Sequence, residues 1–377
     1  MLYYNANIYR PGSGFKIGCF ETENGRFKSI SFEEKKYDSG VDVEEKLVIP
    51  GLVDIHTHGN SGFDFSDGDI EGLKHMGKYL LSHGITSFMP TSMTLPYDKL
   101  ERCFKNADEL KKASCKEYAD IVGIHMEGPF LSSKRKGAQN ASYLKKPDVE
   151  AFQKLQQICG GLIRIVDIAP ELEQAAGFIE KVTGEGTVVS LAHTDADYAA
   201  AKEAFDTGAD HVTHLFNGMP GLHHRQPGLI GAAAECEDVY VELICDGVHV
   251  HPAVIKMAFK LFPHRICLIS DAIRCCGMPD GEYELGGQEV VVKEGEARLS
   301  DGTLAGSAAN LFECMKKAVS FGVPVDEAIE AASLIPAKSI KIDDRKGKIQ
   351  EGNDADFIIC DKELNIIGVF KGGERIS

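Results

Sequence analysis

The sequence lacks the long apolar runs that membrane-spanning segments require. Within its 377 residues, no stretch approaches the roughly twenty consecutive apolar residues needed to cross a bilayer. The opening residues, MLYYNANIYRPGSG, also lack a basic segment followed by an apolar one, which is the pattern of a secretory signal. Hydrophobic residues make up 43% of the chain and charged residues 26%, a balance typical of soluble globular proteins. We therefore expect a cytoplasmic protein without a membrane partner.

Positive charge is scarce in this chain. Its 41 lysines and arginines face 57 aspartates and glutamates, which gives a formal net charge of −16. A chain of this charge repels the phosphates of nucleic acids and the anionic surface of membranes. We therefore expect no nucleic-acid partner. An anionic small-molecule substrate would need cations placed locally around it.

The cysteines do not have the pattern of a disulfide framework or of a CxxC motif. Their number, eleven, is odd, and only Cys275 and Cys276 are close together in sequence. Scattered cysteines of this kind are typically small buried apolar residues in a reducing compartment. We expect free thiols.

Both ends of the chain have the pattern of short strands separated by Pro-Gly, Asn-Gly and Ser-Gly turns. The candidate strands span residues 2–9, 15–20, 27–32, 46–49, 356–360 and 366–370. Two strand-rich ends around a different middle section favour one small β module. We expect it to be built from residues 1–50 and 343–377.

The middle section, residues 51–342, alternates short apolar runs with helical segments. The eight runs are LVIPGLVDIH, ITSFMPT, IVGIHMEGP, LIRIVDIAP, TVVSLAH, HVTHLF, VYVELICDG and RICLISDA. Helical periodicity separates several of them, at residues 70–83, 100–112, 149–157, 172–183 and 198–208. Near-continuous apolar strands indicate a parallel sheet that is buried on both faces, and eight strand–helix repeats predict an α/β fold of the (β/α)8 barrel type. A doubly wound open sheet is the alternative, although no GxGxxG follows the first strand.

Polar residues of metal-binding types stand where these apolar runs end. In chain order they are His56, His58, His125, Glu127, His193, His214 and Asp271. Side chains alternate across a strand, so His56 and His58 point the same way. In a barrel, the carboxyl ends of all strands meet at one mouth, where the active sites of this fold lie. Imidazoles and carboxylates suit zinc, iron and similar ions, so the pattern predicts a divalent metal site.

Seven motifs carry a resemblance to a known family. They are PGLVDIHTHG, HMEGPFLSSKRKGAQN, LAHTDA, THLFNGMPGLHHRQPG, CDGVHVHP, SDAIR and LAGS. Together they cover nearly the whole chain, which resembles the amidohydrolase superfamily and, within it, the N-acetylglucosamine-6-phosphate deacetylases. The resemblance implies a metal-dependent TIM-type barrel with a small β-sandwich formed by both termini. It also implies hydrolysis of the acetamide of N-acetylglucosamine 6-phosphate to glucosamine 6-phosphate and acetate, in amino-sugar catabolism.

The resemblance implies roles for the residues at the strand ends. Glu127, His193 and His214 match the principal metal ligands of the family, and the histidines of the HxH pair, His56 and His58, would complete a second site. We expect one or two divalent ions per subunit, zinc or iron, with two favoured. Asp271 matches the catalytic aspartate, which takes a proton from water and passes it to the departing amine.

Substrate-binding roles follow from the same resemblance. They fall on Ala138, Gln139, Asn217, Gly218, Arg225, His249 and Leu304. Arg225 and His249 match the phosphate-binding positions, and some of these groups cross a subunit boundary in the family, which implies a homodimer. Gln139 stands where some relatives carry a histidine that polarises the substrate carbonyl. Glutamine can donate an N–H group there but cannot carry positive charge.

Several alternatives remain open from the sequence. His125 is expected beside the metal site rather than as a ligand, and His211 in the core. His223 and His224 belong to a loop that either is solvated or contacts substrate. For the activity, the alternatives are a deacetylase of the galactosamine epimer, another amidohydrolase, and a non-catalytic homologue that binds the sugar phosphate.

Overall fold

The computed structural model describes residues 1–33, 39–113 and 115–377. The strands are, in chain order, β1 Leu2–Arg10, β2 Gly14–Glu23, β3 Arg26–Ser31, β4 Val41–Asp42, β5 Leu47–Pro50, β6 Leu52–Thr57, β7 Gly59–Asn60, β8 Phe63–Asp64, β9 Ile85–Ser92, β10 Asp120–Ile121, β11 Ile124–Met126, β12 Ile163–Ile168, β13 Val188–Leu191, β14 His211–Val212, β15 Tyr240–Ile244, β16 Ile266–Ile269, β17 Gly281–Leu285, β18 Gln288–Lys293, β19 Glu296–Leu299, β20 Phe357–Cys360, β21 Ile366–Lys371 and β22 Glu374–Arg375. The α-helices are α1 Ile70–Ser82, α2 Tyr97–Ala113, α3 Val149–Ile158, α4 Ala175–Gly184, α5 Tyr198–Thr207, α6 Gly228–Glu235, α7 Pro252–Leu261, α8 Leu311–Ser320, α9 Val325–Ala332 and α10 Leu334–Ser339.

Strands from both ends of the chain form one hydrogen-bonded sheet. Its order is β22-β21-β20-β5-β1-β2-β3, with β4 beside β1. The two ends meet where β20 runs antiparallel to β5, with Phe357 opposite Pro50. The prediction that a β module is built from both termini is therefore confirmed.

This sheet folds over an aromatic core of its own. Phe20 of β2 and Phe357 of β20 are three strand positions apart, which in a flat sheet would separate them by about 14 Å. Their ring centroids instead lie 5.0 Å apart. Tyr3 of β1 stacks on Phe20 at 4.8 Å. The sheet therefore folds back on itself, as expected for a β-sandwich, while its exact bounds at 1–50 and 343–377 stay a prediction.

Eight parallel strands form the barrel. They follow the order β6, β9, β11, β12, β13, β14, β15, β16, and each is parallel to its neighbours. The last strand returns to the first through a parallel bridge between Thr57 and Ala272. The backbone N–H of Asp271 also donates to the carbonyl of His56 at 3.0 Å. The predicted (β/α)8 fold is confirmed, and the open-sheet alternative is wrong.

The helices begin at polar residues that cap their free backbone N–H groups. The side chain of Asp69 accepts hydrogen bonds from the first turn of α1, and Asn310 forms a reciprocal capping box with Glu313 at α8. The predicted helices agree with the observed ones within a few residues at each end. The helix expected from residue 172 begins only at Ala175, because Gln174 takes a left-handed backbone with φ of 75°.

Strands β17, β18 and β19 form an antiparallel sheet inserted between β16 and α8, which the sequence interpretation did not anticipate. This insert and the segment after it cover part of the barrel mouth, where Leu285, Thr303, Leu304 and Gly306 line the cavity. Its Gln288 donates a hydrogen bond to the carbonyl of Ala138. Among the described residues, no helix has the length and apolarity that crossing a membrane requires.

Candidate active site

Three site residues that follow the ends of strands have a left-handed backbone conformation. His193, His214 and Asp271 follow the ends of β13, β14 and β16, and their φ angles are 42°, 32° and 47°. A left-handed backbone is costly for a non-glycine residue and persists only where the surrounding structure stabilises it. All three side chains line one cavity at the mouth of the barrel. The strand-end pattern thus predicted their convergence correctly.

The first group of ligand-type atoms contains Glu127, His193 and His214. Oε1 of Glu127 lies 2.9 Å from Nε2 of His193 and 3.2 Å from Nε2 of His214, and the two nitrogens are 3.1 Å apart. All three residues are buried. Burial raises the cost of leaving a carboxylate without a partner, so these contacts are needed.

The second group shares Glu127 with the first. Oε2 of Glu127 lies 3.1 Å from Nε2 of His58 and 3.8 Å from Nε2 of His56. The two histidine nitrogens are 3.3 Å apart. Glu127 therefore presents one carboxylate oxygen to each group, an arrangement that can bridge two cations.

The geometry of these atoms fits divalent cations. Two nitrogens bound tetrahedrally at about 2.0–2.1 Å from zinc lie about 3.3 Å from each other, which is close to both observed separations. The other ring nitrogen is occupied in three of the histidines. Nδ1 of His56 lies 2.8 Å from Glu242, that of His58 lies 3.1 Å from the carbonyl of Thr91, and that of His193 lies 2.7 Å from the carbonyl of Arg135. These contacts leave the Nε2 lone pairs for a metal.

The ionisable groups of the site shift one another's pKa values. Burial favours the neutral form of Glu127, but hydrogen bonds from His193, His214 and His58 hold its pKa well below the ordinary value. Burial lowers the pKa of His214, but Glu127 outweighs it and raises that pKa to about 9. Without a cation, the imidazole of His214 therefore holds a proton at neutral pH, and metal binding would displace it.

Asp271 lies against the second group. Its Oδ1 is 3.1 Å from Nε2 of His58 and 3.5 Å from Nε2 of His56. Burial favours the neutral acid, but the charges of His56 and His58 and the hydrogen bond from His58 lower the pKa of Asp271. The residue is therefore ionised at neutral pH and able to accept a proton.

A second polar layer lies beneath the ligand atoms, and the sequence interpretation missed its carboxylates. Oε2 of Glu242 lies 2.8 Å from Nδ1 of His56 and accepts a hydrogen bond from the backbone N–H of His214 at 3.2 Å. Asp167 lies 2.9 Å from Nε2 of His125, whose Nδ1 is 3.1 Å from a backbone carbonyl. Both ring nitrogens of His125 thus contact protein atoms. Its role beside the metal site, rather than as a ligand, stays a prediction. A single carboxylate inside an apolar run such as VYVELI was the signal available.

His211 belongs to the same buried layer. Its Nε2 lies 3.6 Å from Oε1 of Glu242, and its side chain is fully buried. The expectation that this histidine packs in the core is confirmed.

The cavity above the ligands, of about 190 Å³, gathers most of the predicted substrate-binding residues. Those that line it are Ala138, Gln139, Asn217, Gly218, His249 and Leu304. The Oε1 of Gln139 accepts a hydrogen bond from the backbone N–H of Thr94 at 2.7 Å. Nδ1 of His249 lies 2.7 Å from Oδ2 of Asp246, which orients the imidazole. A Cβ at Gly218 would lie 2.8 Å from Nδ1 of His193, so the close approach of this loop requires glycine.

Arg225 is the predicted substrate residue that the structure does not bring to this cavity. Its side chain is exposed and lines a separate surface cavity with Tyr198 and Pro227. Its Nη1 lies 2.7 Å from Nε2 of the neighbouring His224. Within one chain, Arg225 therefore makes no contact with the site.

Comparison with known proteins agrees with this geometry. Residues 47–376 match the Amidohydrolase family. The N-acetylglucosamine-6-phosphate deacetylase of Bacillus subtilis (strain 168) is 38% identical to this chain over 97% of it and 94% of the relative, and that of Homo sapiens is 34% identical over 99% and 95%.

Solved structures give the same result. The Pasteurella multocida deacetylase superposes with a TM-score of 0.93 at 28% identity, covering 99% of this chain and 98% of that one. A mutant of the Mycobacterium smegmatis enzyme in complex with N-acetyl-D-glucosamine-6-phosphate superposes with a TM-score of 0.93 at 30% identity, covering 100% and 99%. The chain therefore belongs to the amidohydrolase family and, within it, to the N-acetylglucosamine-6-phosphate deacetylases.

Proposed function

We propose that this protein hydrolyses the acetamide of N-acetylglucosamine 6-phosphate to glucosamine 6-phosphate and acetate, in amino-sugar catabolism. The observation that carries the proposal is the position of Asp271, 3.1 Å from His58, beside two groups of ligand atoms that share Glu127. Amide hydrolysis needs an activated water and a proton donor for the leaving amine. Sugar-phosphate binding alone would need neither.

Glu127, His193 and His214 would hold one divalent cation, and His56 and His58 would hold a second one together with Glu127. A zinc or iron ion at such a site would polarise the acetamide carbonyl and lower the pKa of a water molecule. The support for two sites is the division of the two Glu127 oxygens between the two groups of histidines.

In this proposal Asp271 moves the proton. Its lowered pKa keeps the carboxylate ionised, so it can take the proton released as water attacks the amide carbon. The same carboxyl group then returns the proton to the sugar nitrogen as the C–N bond breaks. Water and the amide are the only reactants required, and acetate and the free amine balance the equation.

Gln139 is proposed to donate a hydrogen bond to the acetamide oxygen. Its Oε1 is held by the backbone N–H of Thr94, and one hydrogen of its NH₂ group points to Sδ of Met93 at 3.8 Å. The second hydrogen of the NH₂ group is therefore the donor proposed to serve the substrate. A neutral donor stabilises a developing oxyanion less than a charged imidazolium would. We therefore assign the larger part of that stabilisation to the cations.

The phosphate group is proposed to bind near His249, Asn217 and Gly218, which line the same cavity. Arg225 of the same chain does not line this cavity, but is exposed beside a separate one. We propose that it completes the phosphate site of the other subunit in a homodimer. The cytoplasm is the proposed location, because no disulfide joins cysteines among the described residues.

The proposal is tested by acetate release from four sugars, each with and without added zinc or iron. The substrates are N-acetylglucosamine 6-phosphate, its galactosamine epimer, and the two unphosphorylated sugars. We expect the first to give the highest kcat/KM. Faster turnover of the galactosamine epimer would show that the epimer, and not N-acetylglucosamine 6-phosphate, is the preferred substrate. Binding without acetate release would favour a non-catalytic homologue.

A further inference from the structure

A cationic pocket lies on the face of the barrel opposite to the active site. Its walls come from the end of α2, the start of β10 and β12, and residues 341–346 after α10. Parallel strands begin on this face and end at the catalytic mouth, so the two cavities are separated by the length of the barrel. The volume of the pocket is about 410 Å³, and small-molecule sites occupy roughly 300–1,000 Å³.

The side chains around this pocket carry an excess of positive charge. Five cations line it, Lys111, Arg164, Lys341, Arg345 and Lys346, against two carboxylates. The whole chain has a formal net charge of −16. A concentration of cations on an acidic protein creates a local field that attracts anions.

Part of this positive charge is already neutralised by the protein. Nζ of Lys346 lies 2.6 Å from both Asp120 and Asp356, and Nη2 of Arg345 lies 2.8 Å from Asp354. Lys371 also pairs with Asp120, at 2.6 Å. The carboxylate of Asp120 is thus fully engaged, and it adds no free negative charge to the pocket.

The remaining three cations are not neutralised. Among residues 1–33, 39–113 and 115–377, no acidic group forms an ion pair with Lys111, Arg164 or Lys341. Partial burial and the nearby Arg164 and Arg345 lower the pKa of Lys111. The second carboxylate of the lining, Asp344, forms no ion pair among the described residues. The pocket therefore holds three unpaired cations against one unpaired carboxylate and keeps a positive excess.

Arg164 provides the strongest observation. Its Nε atom is buried and has no hydrogen-bond acceptor among the described residues. The aliphatic part of the side chain lies over Gly123, where a Cβ would stand 2.4 Å from Cγ of Arg164. A buried donor without an acceptor is unfavourable, so this N–H group of Arg164 lacks the partner that would stabilise it among the described residues.

We propose that this pocket binds a small phosphorylated metabolite, with its phosphate group against Arg164 and Lys111. A guanidinium group holds two phosphate oxygens at once, and a nearby ammonium adds a point charge. The volume leaves room for the organic part of the metabolite beside Lys341. The site is distinct from the catalytic phosphate site and does not depend on the proposed activity.

The test is equilibrium dialysis of the metal-loaded full chain against labelled inorganic phosphate at constant ionic strength. The proteins compared are the wild type, Lys111→Met, and the double variant Lys111→Met/Arg164→Met. Methionine keeps the apolar stem over Gly123 and removes the charge. The active site also binds phosphate in our proposal. The informative quantity is therefore the difference between the proteins in the number of phosphates bound per chain. We expect the double variant to bind one phosphate fewer per chain, and the single variant to bind the pocket phosphate about tenfold more weakly.

A matched control removes the same charge from exposed positions of the same helix, α2. Arg102→Met/Lys105→Met is expected to bind as many phosphates as the wild type. An equal loss in this control would show non-specific attraction and overturn the proposal. Equal phosphate counts for the wild type and the pocket double variant would also overturn it.

Competition identifies the class of ligand. Glucose 6-phosphate is expected to displace the phosphate that the double variant fails to bind, whereas succinate is not. Displacement by succinate alone would assign the pocket to dicarboxylates and overturn the proposed class. Lys111→Met alone changes only an exposed lysine, so the binding test stands even if the double variant folds poorly.

Discussion

The Oδ1 atom of Asp271 lies 3.1 Å from Nε2 of His58. His58 comes just after the first strand of the barrel and Asp271 just after the last, and these strands meet along the bridge between Thr57 and Ala272. The proposed proton carrier and the second group of ligands therefore take their positions when the barrel closes. A change that opens this seam would disturb both at once.

Replacing Asp271 with asparagine should remove the proton carrier and leave the shape of the site intact. We expect Asp271→Asn to lower kcat for acetate release about a thousandfold or more, because the amide cannot accept and return a proton. Substrate binding should persist, which calorimetry can measure. Asp98→Asn, the same change on an exposed helix position, is the control. Unchanged turnover would reject the role of Asp271.

Replacing Arg225 with alanine should raise KM for the phosphorylated substrate about 10- to 100-fold, since a charge-assisted hydrogen bond to phosphate is lost. The unphosphorylated sugar should be processed as before. Arg102→Ala, at another exposed arginine, should change neither value.

A mixing experiment tests whether Arg225 serves the other subunit. In a mixed dimer of Arg225→Ala and Asp271→Asn chains, the first chain keeps Asp271 and its partner keeps Arg225. We expect such dimers to recover part of the low KM of the wild type. If mixing restores nothing although mixed dimers form, Arg225 does not act across the interface.

Replacing Glu242 with glutamine should weaken the proposed second metal site. Glu242 accepts from Nδ1 of His56 at 2.8 Å and from the backbone of His214, so it fixes ligands of both groups. We expect Glu242→Gln to weaken the affinity for the ion held by His56 about 10- to 100-fold. Metal analysis after dialysis against a mild chelator measures this. Glu150→Gln, on an exposed face of α3, should retain its metal.

The ion pairs of Asp120 should contribute to stability at neutral pH and be lost in acid. Burial favours the neutral form of Asp120, but Lys346 and Lys371 hold its pKa below the ordinary value. A carboxyl group whose pKa is lower in the folded protein stabilises the fold above its unfolded pKa of about 3.9. That contribution disappears as the pH falls through the folded pKa.

Asp120→Asn should accordingly lower the free energy of unfolding by about 1–2 kcal/mol at pH 7. The difference from the wild type should shrink as the pH falls below about 4. Urea unfolding at a series of pH values measures it, with Asp98→Asn as the control. A difference that stays constant down to pH 3 would contradict this assignment.

Much of the site could be predicted because the barrel fold converts sequence order into position. In a barrel of parallel strands, all strands end at the same mouth. A polar residue at the end of an apolar run, such as His193 or His214, must therefore lie at that mouth. The same logic placed His56 and His58 together, since a strand alternates its side chains. The prediction needed no knowledge of which strands are neighbours.

The buried layer could not be predicted in this way. Glu242 and Asp167 are single carboxylates inside apolar strands, and their partners, His56 and His125, come from other strands. Which mid-strand residues face each other depends on the stagger of the strands around the barrel. The exposed position of Arg225 could not be predicted either. The residues around Arg225 in the sequence do not reveal where a second subunit would lie. The insert of β17–β19 lacks the near-continuous apolar runs that marked the barrel strands.

The pairing of β5 with β20 can form only after both strands have been synthesised. Ile49 is synthesised long before Ile358, the residue that lies opposite it in the sheet. Until then, one edge of β5 is unpaired, and Tyr3 and Phe20 lack the ring of Phe357 that covers them. The sheet that contains β1, β2 and β5 is therefore completed only after the barrel strands between them and β20 have been synthesised. Until then, the nascent chain must keep the free edge of β5 from pairing with other strands.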